Sequence, residues 1–155
     1  MNFINDILDK NQLCTIRDFI FSKDNLTMIW HGTGNNGKSI LCKTIPNSVF
    51  ITLDTFNNSN IPTFSQNSIF ILNEMYTQDI QEIIKIIDYI HLHYKNSKLL
   101  IITNDSSLHN SLSDNTIISI YFKYNFVEQI HRSTDKLVNR NILDHVNTDS
   151  LWIKV

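Results

Sequence analysis

The sequence predicts an α/β fold in which helices cover both faces of a mainly parallel central sheet, a three-layer sandwich. Two runs, SIFIL at 68–72 and KLLII at 98–102, are almost wholly apolar, as strands buried on both faces are. Strand-like and helix-like segments alternate along the chain, which is typical of parallel strands joined by helices. All three glycines of the 155 residues fall at 31–39, between a strand-like and a helix-like segment.

Residues 1–25 predict a helical segment that precedes the sheet. Apolar residues recur there at helical spacing in two groups, which indicates two successive helices. The predicted apolar faces consist of Phe3, Ile7 and Leu8 in the first helix, and of Leu13, Ile16, Phe19 and Ile20 in the second.

Around the glycines the sequence predicts a strand, a loop and a short helix. The strand spans 26–30, which is apolar and rich in residues that favour β structure. The helix spans 38–45, because Pro46 cannot continue it. A second strand follows at 48–53.

The middle of the chain predicts two buried strands with a helix between them. Polar residues and Pro62 make 54–67 a loop, which leads to the strand at 68–72. Asp79, with Glu82 three residues later, is typical of a helix start with a capping box. The core side of this helix is predicted to carry Ile80, Ile83, Ile84, Ile87, Ile90 and Tyr94.

The last part of the chain predicts β structure at 117–126 and a helix at 134–146. No composition shift, linker or internal repeat marks a second domain. The predicted organisation is therefore a helical segment at 1–25, a core at 26–126 and a helical tail at 127–155.

Composition excludes several classes of protein. The net charge of −2 gives no global basic field, so nucleic-acid binding would need a local patch. Cys14 and Cys42 have no metal-ligand spacing and indicate a reduced, intracellular chain. The first residues lack the features of a secretory signal, and no apolar run is long enough to span a membrane. We expect an intracellular protein that is neither secreted nor membrane-bound.

The glycine segment, HGTGNNGKS, has the full spacing of a phosphate-binding loop, Gly32-x-x-x-x-Gly37-Lys38-Ser39. In such a loop backbone N–H groups surround phosphate oxygens, the lysine reaches the β- and γ-phosphates, and the hydroxyl ligates Mg²⁺. A glycine turn that binds nothing is the alternative, but it explains neither Lys38 nor Ser39. The predicted nucleotide-binding residues are Gly32, Thr33, Gly34, Asn35, Asn36, Gly37, Lys38, Ser39 and Ile40.

Two further strand ends carry polar residues suited to nucleotide hydrolysis. Glu74 follows one buried strand and can activate water or bind Mg²⁺; a solvent-exposed glutamate is the alternative. Asn104 follows the other, where its amide can bind a γ-phosphate oxygen and the attacking water; a turn residue is the alternative. Lys38, Glu74 and Asn104 form the predicted catalytic set, and Ser39 and Glu74 form the predicted Mg²⁺ site.

In this order, the segments WHGTGNNGKS, IFILNE and LLIITN resemble motifs A, B and C of superfamily 3 helicases, AAA+-type ATPases of small viruses and of large DNA viruses. The loop is similar to that of poxvirus-type primase-helicases, and 112–126 is similar to the tail after motif C in papillomavirus and parvovirus types. The resemblance covers roughly 26–126 and implies an AAA+-like P-loop NTPase that uses ATP and Mg²⁺ as a helicase in DNA replication.

The resemblance also implies a hexameric ring with ATP at subunit junctions and single-stranded nucleic acid in the central pore. By position, it implies that Lys38 and Ser39 bind phosphate and Mg²⁺, that Glu74 activates water, and that Asn104 senses the γ-phosphate. The implied location is the cytoplasm or nucleus of a host cell, or a viral factory.

Three features depart from the family pattern. Motif B usually ends in two acidic residues, whereas Asn73 takes the place of the first. The interval between motifs B and C has little room for the usual DNA-contacting hairpin. The family places an arginine finger near 114–118, where this chain has none; its arginines are Arg17, Arg132 and Arg140. We therefore expect a slow ATPase.

The interval between motifs B and C contains one basic and aromatic cluster, HLHYKNSK at 91–98. It predicts weak, salt-sensitive binding of single strands through Lys95 and Lys98, and the alternative is a solvated helix end. Two other functions remain open. One is a different P-loop enzyme, such as a small kinase, although an arginine-bearing lid is missing. The other is a subunit that binds nucleotide without hydrolysis, as a scaffold or to join a partner chain.

Overall fold

The computed structural model describes residues 3–34, 36–57, 67–112, 116–132 and 152. Its strands are β1 (Thr27–His31), β2 (Ser48–Phe50), β3 (Ile69–Leu72), β4 (Lys98–Thr103) and β5 (Ile117–Tyr121). Its helices are α1 (Phe3–Ile7), α2 (Lys10–Phe21), α3 (Lys38–Cys42), α4 (Ile80–His93), α5 (Ser106–Leu112) and α6 (Phe126–Arg132). A 3₁₀ turn at Thr77–Asp79 leads into α4.

The five strands form one sheet in the order β2-β3-β4-β1-β5, and every neighbouring pair is parallel. Helices cover both faces of this sheet, as parallel strands require when crossover helices join them. The predicted α/β fold is therefore confirmed, with the layering of a P-loop NTPase-like three-layer sandwich.

Alternate side chains of the three central strands, β3, β4 and β1, enter two separate cores. In β1, Met28 and Trp30 pack on one face with α1, α2 and α3, whereas Ile29 packs on the other face with α4 and α5. Every residue of β3 and β4 is buried. Burial on both faces explains why these two strands are continuous apolar runs in the sequence.

The register brings the carboxyl ends of the central strands to one edge of the sheet. His31, the last residue of β1, lies opposite Thr103 of β4 and Tyr121 of β5. Leu72, the last residue of β3, lies opposite Ile101 of β4. The residues that follow β1, β3 and β4 therefore lie close together.

Two predicted elements are shorter in the structure. The helix predicted at 38–45 ends at Cys42, where the chain tightens and the Thr44 N–H donates to the Leu41 carbonyl at 3.0 Å. The strand predicted at 48–53 ends at Phe50 on the sheet edge. The chain then turns, and the Thr52 N–H donates to the Thr55 hydroxyl at 2.9 Å.

Helix α4 begins differently from the prediction. The Asp79 carboxylate accepts the N–H of Tyr76 at 3.0 Å and makes no capping bond to the helix, so the predicted capping box with Glu82 is wrong. Ile84, predicted to face the core, is 40% exposed. Isoleucine occupies so many neighbouring positions that spacing alone does not fix the edges of the apolar stripe, and the buried residues are Ile83, Ile86 and Ile90.

The region after β4 differs from the prediction in two ways. Helix α5 was not predicted, because its sequence SSLHNSL buries only Leu108 and Leu112; the Asp105 carboxylate caps it and accepts the Ser107 N–H at 2.9 Å. The β structure predicted at 117–126 stops at Tyr121, and α6 begins at the end of that range.

The N-terminal helices pack on the same core as the sheet. The predicted buried face of α2 is confirmed, since Leu13, Ile16, Phe19 and Ile20 are its buried residues. Ile4, which the prediction omitted, joins Ile7 and Leu8 in the core. The turn between α1 and α2 is tied to the chain after β5, because the Asp9 carboxylate accepts the Tyr124 hydroxyl at 2.8 Å and pairs with the Lys123 ammonium.

From the last 23 residues the structure describes Trp152, which is fully buried and donates its indole N–H to the Thr44 hydroxyl at 3.1 Å. The helix predicted at 134–146 lies outside the described residues, as does 58–66 of the predicted loop. None of the helices in the described part of the chain has the length and apolar character to cross a bilayer.

The position of β4 in the middle of the sheet gives a stability prediction. Ile101 is fully buried, so Ile101→Ala leaves a cavity and should lower the free energy of unfolding by about 2–5 kcal/mol. Leu92→Ala on α4 is the control, since Leu92 is 70% exposed and its removal should change the free energy by less than about 0.5 kcal/mol. Urea titration of both variants measures the difference, and equal losses would contradict the burial of β4.

Candidate nucleotide-binding site

The ends of three neighbouring strands surround one open cleft of about 210 Å³. The glycine loop follows β1, Asn104 follows β4, and Glu74 follows β3. The residues that line the cleft are Asn36, Gly37, Lys38, Ser39, Ile40, Glu74 and Asn104. The structure thus brings together the residues predicted for catalysis and several of those predicted for nucleotide binding, while Asn35 lies outside the described residues.

Lys38 lies beneath the loop with only 3% of its surface exposed. Its Nζ donates to the carbonyls of Gly32 and Thr33, at 3.1 and 3.0 Å, and to Oδ1 of Asn36 at 2.7 Å. Burial lowers the pKa of Lys38 to about 8, and the negative charge of Glu74 acts in the opposite direction. Lys38 is therefore a buried residue that also lines the cleft.

Two glycines are required by the shape of the loop. Gly37 has a φ of 89°, in the left-handed region, and a Cβ there would lie 3.3 Å from the Ile7 side chain. Gly32 has a φ of 147°, and a Cβ there would lie 2.6 Å from the Phe122 carbonyl oxygen and 2.8 Å from the Asn36 amide. Glycine is therefore needed at these two positions, because a side chain there would come too close to neighbouring backbone or side-chain atoms.

The oxygen atoms beside Lys38 fit a hard cation. The Ser39 hydroxyl lies 3.3 Å from Oδ1 of Asn73, and Glu74, next in sequence, opens onto the same cleft. Hydroxyl, amide and carboxylate oxygens are ligands that Mg²⁺ accepts, together with phosphate and water. The described residues contain no cluster of three or more His, Cys, Asp or Glu side chains able to hold a metal ion.

Glu74 is held in an unusual backbone conformation. Its φ is 59°, in the left-handed region that a residue with a side chain rarely adopts. The next residue, Met75, is fixed on both sides, since its N–H donates to the Ile102 carbonyl at 2.9 Å and its carbonyl accepts the Thr103 hydroxyl at 2.7 Å. The surrounding bonds between β3 and β4 therefore maintain the strained turn that directs Glu74 into the cleft.

Asn104 reaches the loop from β4. Its Nδ2 would lie 3.7 Å from a Cβ on Gly34, so the amide stands against the loop backbone. Asp105 anchors the following turn, because its carboxylate accepts the N–H and the hydroxyl of Thr77 at 2.9 and 2.7 Å. The hydrogen bonds from Thr77 lower the pKa of the Asp105 carboxyl group.

The sequence prediction missed a stack of rings next to the loop. His31 stacks on His109 of α5 with ring centroids 3.7 Å apart, and it also stacks on Tyr121 with ring centroids 5.3 Å apart. Burial, together with the nearby His109 and the charge of Lys38, lowers the pKa of His31 to about 4. In the sequence, only the position of His31 directly before Gly32 indicates that this residue lies beside the loop. That position does not predict which rings pack against it.

The predicted nucleic-acid cluster at 91–98 is remote from the cleft. Lys98 begins β4, at the edge of the sheet opposite the loop, and is only 3% exposed. Burial lowers the pKa of Lys98 while Asp24 acts against this shift. Lys98 is therefore a buried structural residue and the prediction that it contacts phosphate is wrong, whereas Lys95 is exposed. Within the range 114–118, where the family has an arginine finger, residues 114 and 115 lie outside the described residues, and Arg140 lies outside them as well.

No family model matches this chain, and no curated protein matches its sequence. Among solved structures, the chain is similar to the A form apo structure of the C-terminal region of NrS-1, with a TM-score of 0.51 and 16% identity. The match covers 92% of this chain and 42% of the other, so the chain spans less than half of that region's length. At this identity the likeness shows a shared fold, and the resemblance to superfamily 3 helicases stays a prediction.

The ring stack gives a prediction for the effect of pH on stability. The pKa of His31 is about 4 in the fold against 6.5 for a free histidine, so the unfolded chain binds the extra proton first. The contribution of neutral His31 to the free energy of unfolding is fully present above pH 6.5 and is lost as the pH falls towards 4. Between pH 7 and 4.5 the unfolding free energy of the parent should fall more than that of His31→Phe by roughly 1–2 kcal/mol, after allowance for solvent screening.

The His31→Phe variant keeps an aromatic ring next to His109 and Tyr121 and removes the titrating group of residue 31. Carboxylates that also titrate in this range act equally in both proteins and cancel in the difference. Denaturant titrations at several pH values would measure the two slopes, and identical slopes would contradict a desolvated, neutral His31.

Proposed function

We propose that this chain binds ATP with Mg²⁺ in the cleft at the carboxyl edge of the sheet and hydrolyses it. One observation carries the proposal: the loop with Lys38 and Ser39, the carboxylate of Glu74 and the amide of Asn104 come from three neighbouring strands and line the same cleft. A glycine turn that binds no ligand would not require the functional groups of the loop, a carboxylate and an amide to line the same cleft.

Lys38 is suited to a triphosphate because its ammonium group is already out of bulk water. With a pKa of about 8 it is mostly charged at neutral pH, and the approach of phosphate oxygens favours that charge further. The carbonyls of the loop hold Nζ in place, so little side-chain freedom is lost when phosphate binds. In this proposal Lys38 orients the β- and γ-phosphates.

The Ser39 hydroxyl and the Glu74 carboxylate are the proposed protein ligands of Mg²⁺, and Asn73 orients the hydroxyl through its Oδ1. Mg²⁺ held by these residues would neutralise charge that develops on the phosphate oxygens. Glu74 is also the residue placed to accept a proton from water, because it is exposed in the cleft and backbone strain fixes its direction. Asn104 would hold the γ-phosphate oxygen through its amide.

At a finer level, we propose an ATPase of the superfamily 3 helicase type that acts in DNA replication. The support is the order of motifs A, B and C along the chain. The proposal includes a homo-oligomer, a hexamer by resemblance, or a partner chain, and weak contact with single-stranded nucleic acid. No arginine is among the described residues that line the cleft, so a second subunit would have to supply one for fast turnover.

A non-catalytic nucleotide-binding subunit is the second candidate, and one observation favours it. The partner of the Ser39 hydroxyl is the neutral amide of Asn73, at the position where motif B usually has a carboxylate. An amide brings no charge to Mg²⁺. A small kinase has less support, since Arg17 lies on α2 and does not line the cleft.

The first test of the proposal removes the ammonium group. Lys38→Ala should weaken ATP binding by at least a hundredfold, because it deletes the one lysine that lines the cleft among the described residues. Lys43→Ala is the matched control, since Lys43 directly follows α3, is exposed and carries the same charge. Titration calorimetry with ATP and Mg²⁺ measures both, and circular dichroism checks the fold. Equal affinity in Lys38→Ala and the parent would refute the assignment of the loop.

The second test separates binding from hydrolysis. Glu74→Gln keeps the shape of the side chain and an oxygen atom for Mg²⁺ but removes the base, so ATP should still bind while phosphate release slows by about 10²–10⁴-fold. Glu82→Gln, an exposed carboxylate on α4, should hydrolyse ATP like the parent. Phosphate release from each purified protein provides the measurement. A parent that binds ATP without releasing phosphate would support the non-catalytic candidate instead.

A further inference from the structure

A buried side chain on α6 holds the loop from behind. Gln129 is 5% exposed, and its Nε2 donates to the backbone carbonyl of Asn36 at 2.8 Å and to the carbonyl of Tyr124 at 2.8 Å. Asn36 is 2% exposed, and its own Nδ2 donates to the Phe122 carbonyl at 3.1 Å. The segment after β5 therefore forms hydrogen bonds with both the backbone and the side chain of Asn36 in the loop.

These bonds form a continuous path from α6 to the ammonium group of Lys38, a residue that lines the cleft. Gln129 fixes the Asn36 peptide, Asn36 Oδ1 accepts the proton of Lys38 Nζ at 2.7 Å, and Lys38 borders the cleft. Because both amide side chains are buried, water cannot replace a partner that is removed. A displacement of α6 would therefore leave polar atoms of the loop without partners.

We propose that Gln129 is a positioning residue of the loop and that ATP binding and the placement of α6 are coupled through it. The coupling rests on the proposed function, whereas the positioning of the loop does not need a ligand. Coupling is reciprocal, so α6 held in place favours ATP, and bound ATP stabilises α6 to the same degree. Neither Gln129 nor α6 belongs to the motifs that identified the loop.

The first experiment uses the protein without nucleotide. Gln129→Met keeps the length and volume of the side chain but removes both donors, and Val127→Met adds the same residue at a 59% exposed position of α6. Hydrogen exchange of the Leu41 amide, which donates to the Gly37 carbonyl of the loop at 2.9 Å and reports loop exchange, should become roughly tenfold faster in Gln129→Met and should not change in Val127→Met. Exchange in Gln129→Met equal to that of the parent would overturn the positioning role.

A second substitution guards against a general loss of stability. Gln129→Glu also keeps the size, but its carboxylate would face the carbonyls of Asn36 and Tyr124, so loop exchange should rise at least as much as in Gln129→Met. Exchange of the β4 amides reports the global stability in every variant. A rise that is equal in the loop and in β4 would mean general destabilisation and would count against the proposal.

The third experiment tests the coupling with ATP and Mg²⁺. In the parent, bound ATP should slow amide exchange in α6 by at least threefold, and Gln129→Met should lose this protection and bind ATP about tenfold more weakly. Protection of α6 that is equal in parent and variant would overturn the coupling. A parent that does not bind ATP would refute the proposed function and the coupling together, while exchange in the unliganded protein would still decide the positioning role.

Discussion

A buried ammonium group, that of Lys38, is the constraint on which the loop depends. A cation with 3% exposure is stable only if oxygen atoms surround it, and the Gly32, Thr33 and Asn36 acceptors meet that need. Asn36 must in turn lie between Lys38 and the Phe122 carbonyl, which leaves no room for a Cβ on Gly32. The glycine and the amide are thus consequences of burying one charge beside an open cleft.

The parallel register of the sheet supplies the rest of the site. Because β3, β4 and β1 end at the same edge, Glu74, Asn104 and the loop meet without any long insertion. The bonds that Met75 makes to Ile102 and Thr103 hold the turn at Glu74 in a conformation with positive φ. The sheet therefore acts as a rigid frame, and the strain is confined to the residue that faces the cleft.

Local patterns predicted the frame well and the contacts between distant segments poorly. The apolar runs of β3 and β4 and the glycine spacing were sufficient to predict strands, loop and cleft residues. The sequence did not predict helix α5 because its two buried leucines give too little hydrophobic periodicity. The prediction for Lys98 was wrong because a lysine close to other basic residues in the sequence can still be buried in the fold. The Gln129 bond to Asn36 joins positions 93 residues apart, and no local spacing encodes such a contact.

The strand order has a consequence for how the chain acquires its structure. β1 lies between β4 and β5, which begin about seventy and ninety residues later in the chain. During synthesis the first strand of the sheet has neither neighbour until Lys98–Thr103 has left the ribosome, and Met28, Ile29 and Trp30 stay without their sheet partners until then. Such long-range pairing slows folding and exposes intermediates to aggregation. The loop next to β1 thus belongs to the part of the fold that is completed last, and a nascent chain carries no finished site.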